Sequence, residues 1–539
     1  MRLRLITAER TPQPFFLSKR FRNFMSNKLL RFVLYLVILI HPLAQIPDRV
    51  CAEKQQPPNI LFIMSDDHTT QAVGAYGSRL ATLDPTPNID SLAHDGMRFD
   101  CVFCNNSICT PSRASIITGQ YSQTNGVLDL TGRITPKRQY LPLNLKKAGY
   151  QTAMIGKWHL KEEPAAFDYY CVLPGQGKYM HPEFRIRGVE PWPENSLKKQ
   201  DQHSSDAITN LSLDWLKNTR DPSQPFFLMH HFKAPHDMFV NAPRYDEYLE
   251  DVPIPEPENL FQPPNASIGS RGLGSGVGRT HAPWKLGKRL GISDDFEEQA
   301  YAKACYQEYL KRYLRCVKGV DDNVGRLLDY LRSTGELENT VIFYTGDQGF
   351  FLGEHDLMDK RWMYEESMRM PFLVCWPKTV AKWQVNNWLI NNTDFAPTIL
   401  DIAGLETPGF MQGRSFLNAL KGKQKPANWR RATYYRYWMH MAHNLAVPAH
   451  FGIRGERYKL IFFYGLNHRN PKDRPTPAAW EFYDLQVDPF EMQNLYDHPG
   501  HQQTVAEMKE QLAKLRESLS ETDTNYPAID HVIRTNWSP

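Results

Sequence analysis

Eight cysteines in 539 residues are too few for a fold held together by disulfides. Cys51 lies in the N-terminal leader and Cys109 in a motif treated below, leaving Cys101, Cys104, Cys171, Cys305, Cys316 and Cys375. Cys305 and Cys316 fall on what reads as a single helix, roughly 16 Å apart and too far to bridge. Cys101 and Cys104 are close enough to pair or simply to be buried. Charge of one sign is also scarce: a net +4 over this length is too weak to argue for a nucleic-acid partner. Internal repeats are lacking. The glycine cluster at 272–278 follows no strand, which excludes a dinucleotide or phosphate loop. The uncharged apolar run at 32–40 is too short to cross a bilayer comfortably.

That run follows Lys28 and Arg31 and precedes a small-residue exit at Val50-Cys51-Ala52, so residues 1–52 read as a leader with a secretory signal peptide. Met25 is a candidate true start, because Met25-Ser26-Asn27-Lys28 makes a conventional basic n-region. The expectation is export, to the periplasm or outside the cell, with no stable membrane insertion after cleavage; the alternative is an uncleaved anchor.

What is present is an ordinary globular composition, 41% hydrophobic and 23% charged, long enough for a large domain and a smaller one. Short apolar runs at 59–64, 152–155, 225–230, 341–344 and 372–376 have the look of strands buried on both faces. Helical patterns lie between them at 141–148, 207–217 and 297–331, the last broken at most once, and a further one follows at 393–403. This predicts an α/β fold, a large mixed, mostly parallel sheet flanked by helices, over 57–404. The Pro- and Gly-rich stretch 237–293 reads as an insertion over the site. Beyond 404 the character changes: strand-like pieces at 433–438, 450–454, 458–464 and 481–484 precede an amphipathic helix at 502–520. Residues 405–539 are therefore expected to form a smaller domain, an antiparallel sheet with a helix against it.

Polar residues stand where these strands end. Asp66-Asp67 follow the first, Lys157-Trp158-His159 the second, Lys233 to His236 the third and Asp347-Gln348 the fourth. Ligands of open α/β sheets collect at those ends. Asp66, Asp67, Asp347 and Gln348 make an all-oxygen set that suits a hard cation such as calcium. Lys157 and His159 suit an anionic substrate that needs proton transfer. His68 reads as loop structure, and His230 and His231 as core. Cys109-Thr110-Pro111-Ser112-Arg113 opens a helix predicted over 111–118, where free N–H groups and the dipole favour an anion. Taken alone, a cysteine there reads as a half-buried structural thiol.

The run C-x-P-S-R at 109–113, with Ala114 to Gly119 behind it, resembles the signature of the type I sulfatases, members of the alkaline phosphatase superfamily. The resemblance extends from about residue 59 to about 523. It implies an alkaline phosphatase-like fold, conversion of Cys109 to formylglycine by a maturation enzyme, and one calcium ion held by Asp66, Asp67, Asp347, Gln348 and residue 109. The family more often has Asn or His where Gln348 stands. It further implies that Arg113 helps to hold the hydrated aldehyde and that Lys157 and Lys360 neutralise the sulfate oxygens. His236, with Lys360, protonates the leaving group, and His159 takes the last proton. Residues 347–371 and 447–460 look most like sulfatases acting on carbohydrate, including the N-acetylglucosamine-6-sulfatase and iduronate-2-sulfatase relatives. A sulfated carbohydrate is thus the expected substrate, with Trp438, His440, His443 and His450 as candidates to line a sugar site. The rivals are a phosphodiesterase or phosphonate hydrolase of the same superfamily and a non-catalytic binder of sulfated glycan.

Overall fold

The computed structural model describes residues 57–537 apart from 189, 263 and 279–285. The expected leader with its signal peptide, residues 1–52, lies outside the described residues. The strand Asn59–Ser65 runs through the middle of a ten-stranded sheet and is buried along its whole length. Its alternation decides how the sheet is covered. Ile60, Phe62 and Met64 face one core, and Leu61 and Ile63 face the other. Each such side chain, fully removed from water, stabilises the fold by about 1.5–3 kcal/mol.

In spatial order the strands are Gln384–Asn386, Met97–Phe99, Phe372–Cys375, Thr340–Gly346, Asn59–Ser65, Phe226–His231, Gln151–Lys157, Tyr169–Leu173, Glu183–Ile186 and Ser196–Lys198. The five from Thr340–Gly346 to Tyr169–Leu173 are mutually parallel. Phe372–Cys375 and Glu183–Ile186 run antiparallel to their neighbours. The mixed, mostly parallel sheet expected from the sequence is therefore present.

Helices cover both faces. Glu298–Ser333 lies on one side, with Tyr309, Tyr313, Val320 and Leu327 in the core. It is one unbroken helix, slightly longer than its apolar pattern predicts. Cys109–Thr118 and Phe395–Ile402 lie on the opposite side through Ala114, Ile116, Ile399 and Leu400. A short helix, Glu365–Met368, follows Trp362 and Tyr364, whose rings join the core ahead of it.

The second sheet is an antiparallel meander of Ala432–Tyr437, His450–Gly455, Tyr458–Phe463 and Ala479–Asp484. Period-two alternation again splits it. Tyr434, Phe451 and Phe462 meet Val505, Met508 and Leu512 of the helix Gln502–Ser518, whereas Tyr435, Tyr437, Ile461 and Phe463 join the core of the large sheet. The two sheets thus share a core, and residues from 57 onward form one compact unit. A final helix, Pro527–Trp537, escaped the sequence reading and anchors through Ile529 and Ile533. All seven described cysteines are free, so Cys101 and Cys104 do not pair. No helix among the described residues is long and apolar enough to cross a membrane.

Candidate active site

Three adjacent parallel strands end together. Ser65 is level with Gly346, and Met64 with His231, so Asp66-Asp67, Asp347-Gln348 and the segment from Lys233 to His236 leave the sheet at one edge. Carboxylate oxygens of Asp66, Asp67 and Asp347 lie within 4.8 Å of one another, all buried. The Asp67 backbone N–H donates to Asp347 Oδ1 at 3.1 Å. Asp67 itself has φ 68°, a left-handed conformation that persists only where its surroundings over-determine it.

The start of the helix Cys109–Thr118 faces these acids. Ile108, its N-cap, offers no side-chain acceptor, so the first N–H groups of the helix lack a side-chain cap. The Cys109 thiol donates to Asp66 Oδ1 at 3.3 Å. Burial pushes this thiol up, opposed by Lys360 and reinforced by Asp347 and Asp67, and the free thiol is neutral.

Three buried acids require cations. One helical turn after Cys109, Arg113 places Nε 3.0 Å and Nη2 2.9 Å from Asp347 Oδ2, and its Nη1 donates to the Lys157 carbonyl at 2.6 Å. Lys157 Nζ pairs with Asp66 and donates to Gln176 Oε1. Lys360 Nζ lies 2.5 Å from Asp67 Oδ2. Lys360 is 3% exposed and paired with Asp67. Although burial works against its charge, Asp67 holds the ammonium well above the usual lysine range.

Two imidazoles complete the group. His236 Nδ1 is 2.8 Å from Asp237 Oδ1, and Nε2 is 3.8 Å from Asp67 Oδ2. Burial, then the charges of Lys157 and Lys360, push it down to about 3. His159 lies beside Thr110, whose hydroxyl donates to the His159 carbonyl at 3.1 Å. Burial and the neighbouring Lys157 and Arg113 keep its ring neutral. His231 packs behind the group, 3.2 Å from the Lys157 carbonyl, while His230 bonds Ser212 at 2.7 Å. His68 is buried structure as expected, with Nδ1 2.5 Å from the Tyr344 hydroxyl.

Gln348 is fully buried; its Nε2 donates to Asp67 Oδ1, and its Oε1 has no partner. An orphaned acceptor beside three clustered carboxylates is a donor set that fits a hard divalent cation.

Above these groups opens a cavity of about 280 Å³, floored by Cys109, His236 and Lys360. Its walls bring in Gln176, Asp237, Arg289, Asp359, Arg361 and His443, which sequence reasoning did not assign to the catalytic set. The signal for some of them is conformational: Asp359, Arg361 and His443 have φ of 76°, 89° and 58°, and Gln176 sits between Gly175 and Gly177, both left-handed. Of the four sugar-site candidates, only His443 lines this cavity. His440 is buried and bonds the Arg474 carbonyl at 2.8 Å and the Ala449 N–H at 3.1 Å. His450 is buried among Tyr435, Trp362 and Phe463. Trp438 lines a different hollow. A larger groove of about 640 Å³ beside His94 and Trp383 contains none of the residues expected to be catalytic.

Clustered carboxylates, an uncapped helix start and converging cations over a small polar cavity define an enzyme for an anionic substrate. Comparison with known proteins narrows this class. The family described as Sulfatase matches residues 58–405, and the family described as N-sulphoglucosamine sulphohydrolase, C-terminal, matches 353–518. An N-acetylglucosamine-6-O-sulfatase of Bacteroides thetaiotaomicron is 38% identical over 536 residues, covering 91% of this chain and 92% of that one. The human N-acetylglucosamine-6-sulfatase is 30% identical over 411 residues, 70% of this chain and 67% of the relative. A protein solved in complex with its substrate D-glucosamine-2-N,6-O-disulfate superposes with a TM-score of 0.79 at 36% identity, over 87% of this chain and 99% of that one. The phosphonate monoester hydrolase of Agrobacterium radiobacter shares the fold, with a TM-score of 0.65 at 19% identity over 86% of this chain and 96% of that one. The chain belongs to the sulfatase family and is a sulfuric ester hydrolase.

Proposed function

We propose that the protein hydrolyses the 6-O-sulfate of a glucosamine residue, N-acetylated or N-sulfated, at the end of a sulfated carbohydrate. The observation that carries this reading is the cavity in which Cys109, His236 and Lys360 meet beneath Asp359, Arg361 and His443, in a chain 38% identical to an N-acetylglucosamine-6-O-sulfatase. At about 280 Å³ it suits a single sulfated sugar, which favours attack at a chain end. Hydroxyls of that sugar meet a carboxylate and a guanidinium set side by side, with Arg361 Nε 2.8 Å from Asp359 Oδ2.

Asp66, Asp67, Asp347 and Gln348, with residue 109, would hold calcium. When bound, the ion supplies a Lewis acid and a fixed positive charge at the sulfate. In this reading Cys109 is converted to formylglycine by a maturation enzyme; its hydrate supplies one hydroxyl to attack sulfur and a second whose deprotonation releases sulfate. Arg113 keeps Asp347 ionised and fixes the helix start against it. Lys157, oriented by Gln176, and Lys360 neutralise the sulfate oxygens as charge builds up. His236, held at Nδ1 by Asp237, presents Nε2 to the leaving oxygen. Burial and the charges of Lys157 and Lys360 hold the ring neutral before substrate binds; a bound sulfate offsets those charges, so that the ring can take up a proton and donate it, with Lys360 beside it. His159, neutral in its buried setting, accepts the proton from the second hydroxyl. Export by the N-terminal signal is part of the same proposal.

The test is free sulfate release from N-acetylglucosamine 6-sulfate by protein co-produced with a maturation enzyme. A matched pair of aryl sulfate and aryl phosphate separates the phosphonate-hydrolase alternative. Faster turnover of the phosphate, or no sulfate release from the sugar by aldehyde-bearing protein, overturns the assignment.

A further inference from the structure

His236 closes a turn, its N–H donating to the Lys233 carbonyl at 3.2 Å, and inside that turn the Ala234 carbonyl accepts from the Asp66 N–H at 3.2 Å. One side chain grips the turn at both ends. Tyr179, in the segment that follows the strand Tyr169–Leu173, donates its hydroxyl to the His236 carbonyl, and its ring centroid lies 4.5 Å from the Lys233 ammonium. Tyr179 is itself firmly held: it is buried, its carbonyl accepts from the Ser204 N–H at 2.6 Å, and its ring stacks on His203 with centroids 5.5 Å apart and planes at 25°. His203 is the N-cap of the helix Ser204–Asp214, where its Nδ1 accepts from the Ser205 N–H at 3.2 Å. The proton of the neutral ring therefore sits on Nε2, which donates it to the Val240 carbonyl at 2.9 Å. The stacked pair thus holds the segment 233–240 on either side of His236 and Asp237.

Neither ring lines the catalytic cavity. The Tyr179 hydroxyl is not needed to satisfy the His236 carbonyl, which also accepts from the Phe239 N–H at 3.3 Å. What the hydroxyl adds is a second anchor on the His236 peptide, and so a fixed direction for the bond from Cα to the imidazole. Rotation of that peptide would swing Nε2, at the far end of the ring, away from the leaving oxygen, and a misplacement of about 1 Å can cost on the order of 10² in rate. We propose that Tyr179, backed by His203, is a positioning residue for the proton donor and aims His236 Nε2 at the leaving oxygen. This rests on the reading above in which His236 protonates the departing sugar.

The experiment is steady-state turnover by aldehyde-bearing Tyr179→Phe, His236→Ala and the double variant in calcium, on N-acetylglucosamine 6-sulfate and on the sulfate ester of an acidic phenol. Phenylalanine keeps the ring beside Lys233 and the stack on His203, and the His236 carbonyl keeps Phe239, so Tyr179→Phe is expected to fold; thermal melting checks all three proteins. Tyr179→Phe should lower kcat on the sugar about tenfold with KM within about twofold, and kcat on the aryl ester by less than about twofold. In the His236→Ala background the same change should cost nothing further on the sugar, because the group it aims is gone. A Tyr179→Phe loss that is absent on the sugar, equal on both esters, or undiminished in the His236→Ala background overturns the positioning role alone. Equal losses on both esters from His236→Ala overturn the proton-donor reading beneath it.

Discussion

Arg113 and Asp347 lie 2.9 Å apart with side chains 2% and 0% exposed, and Ser112 Oγ donates to the Asp347 carbonyl one residue away. The helix that presents Cys109 is thereby locked to the end of the strand that presents the acids. Removing one member of a buried pair leaves the other charged in a low dielectric, at about 3–5 kcal/mol. Arg113→Met is therefore expected to lower unfolding free energy by roughly that amount as well as to abolish turnover. Denaturant unfolding within about 1 kcal/mol of the parent would show that the pair is not coupled to the fold.

At position 109 a neutral thiol cannot supply two hydroxyls. Active protein is expected to carry an aldehyde there, visible as a mass loss in the tryptic peptide ending at Arg113. Cys109→Ala should fold and release no sulfate. Robust turnover by that variant counts against the mechanism at its first step.

Chelation should lower the melting temperature, because Asp66, Asp67 and Asp347 then rely on Arg113, Lys157 and Lys360 alone. A ligand present at a hundred times its Kd stabilises by about 2.7 kcal/mol, so calcium should raise Tm with concentration. Lys360→Met should lose about 100-fold or more in kcat. It should also melt lower in chelator than in calcium, where the ion supplies charge beside Asp67. Equal drops under both conditions would rule out a shared role.

His236→Ala is expected to damage sulfate esters of sugars more than those of acidic phenols, since only the former need a proton as they leave. General acid–base catalysis contributes about 10²–10⁴-fold, which sets the scale for the sugar. A leaving-group series for parent and variant measures it, and parallel lines would remove His236 as the donor.

Away from the site, Glu366 is 6% exposed, its Oε2 has no hydrogen-bond partner, and burial, reinforced by Glu354 and Glu491, pushes its carboxyl well above the usual range. The folded state therefore holds this proton more tightly than the unfolded chain does. Its contribution to stability is complete below the unfolded value near 4.3 and declines as pH rises toward the folded value. Glu366→Gln keeps the shape and cannot ionise, so its Tm should fall less than the parent's between pH 6 and pH 9. Parallel Tm curves would show that Glu366 is ionised in the fold.

What is local and periodic was legible in the chain alone. Buried strands announce themselves as short apolar runs, so Asp66, Asp67, Asp347 and Gln348 could be read as strand-end residues, and the motif from Cys109 to Arg113 as a helix start. The antiparallel sheet was equally legible from alternation, as in Tyr434 and Tyr435, which face opposite cores. Which polar side chains meet depends on contacts between segments far apart in the chain. Lys360 stands between Asp359 and Arg361 in the chain and is buried because Asp67, distant in sequence, pairs with it. His440, His443 and His450 carry the same chemistry within eleven positions, yet one bonds a neighbouring loop, one faces the catalytic cavity and one stacks in the core. Their directions depend on backbone turns with positive φ at Met441, His443, Asn444 and Ala446, which leave no periodic trace in the chain.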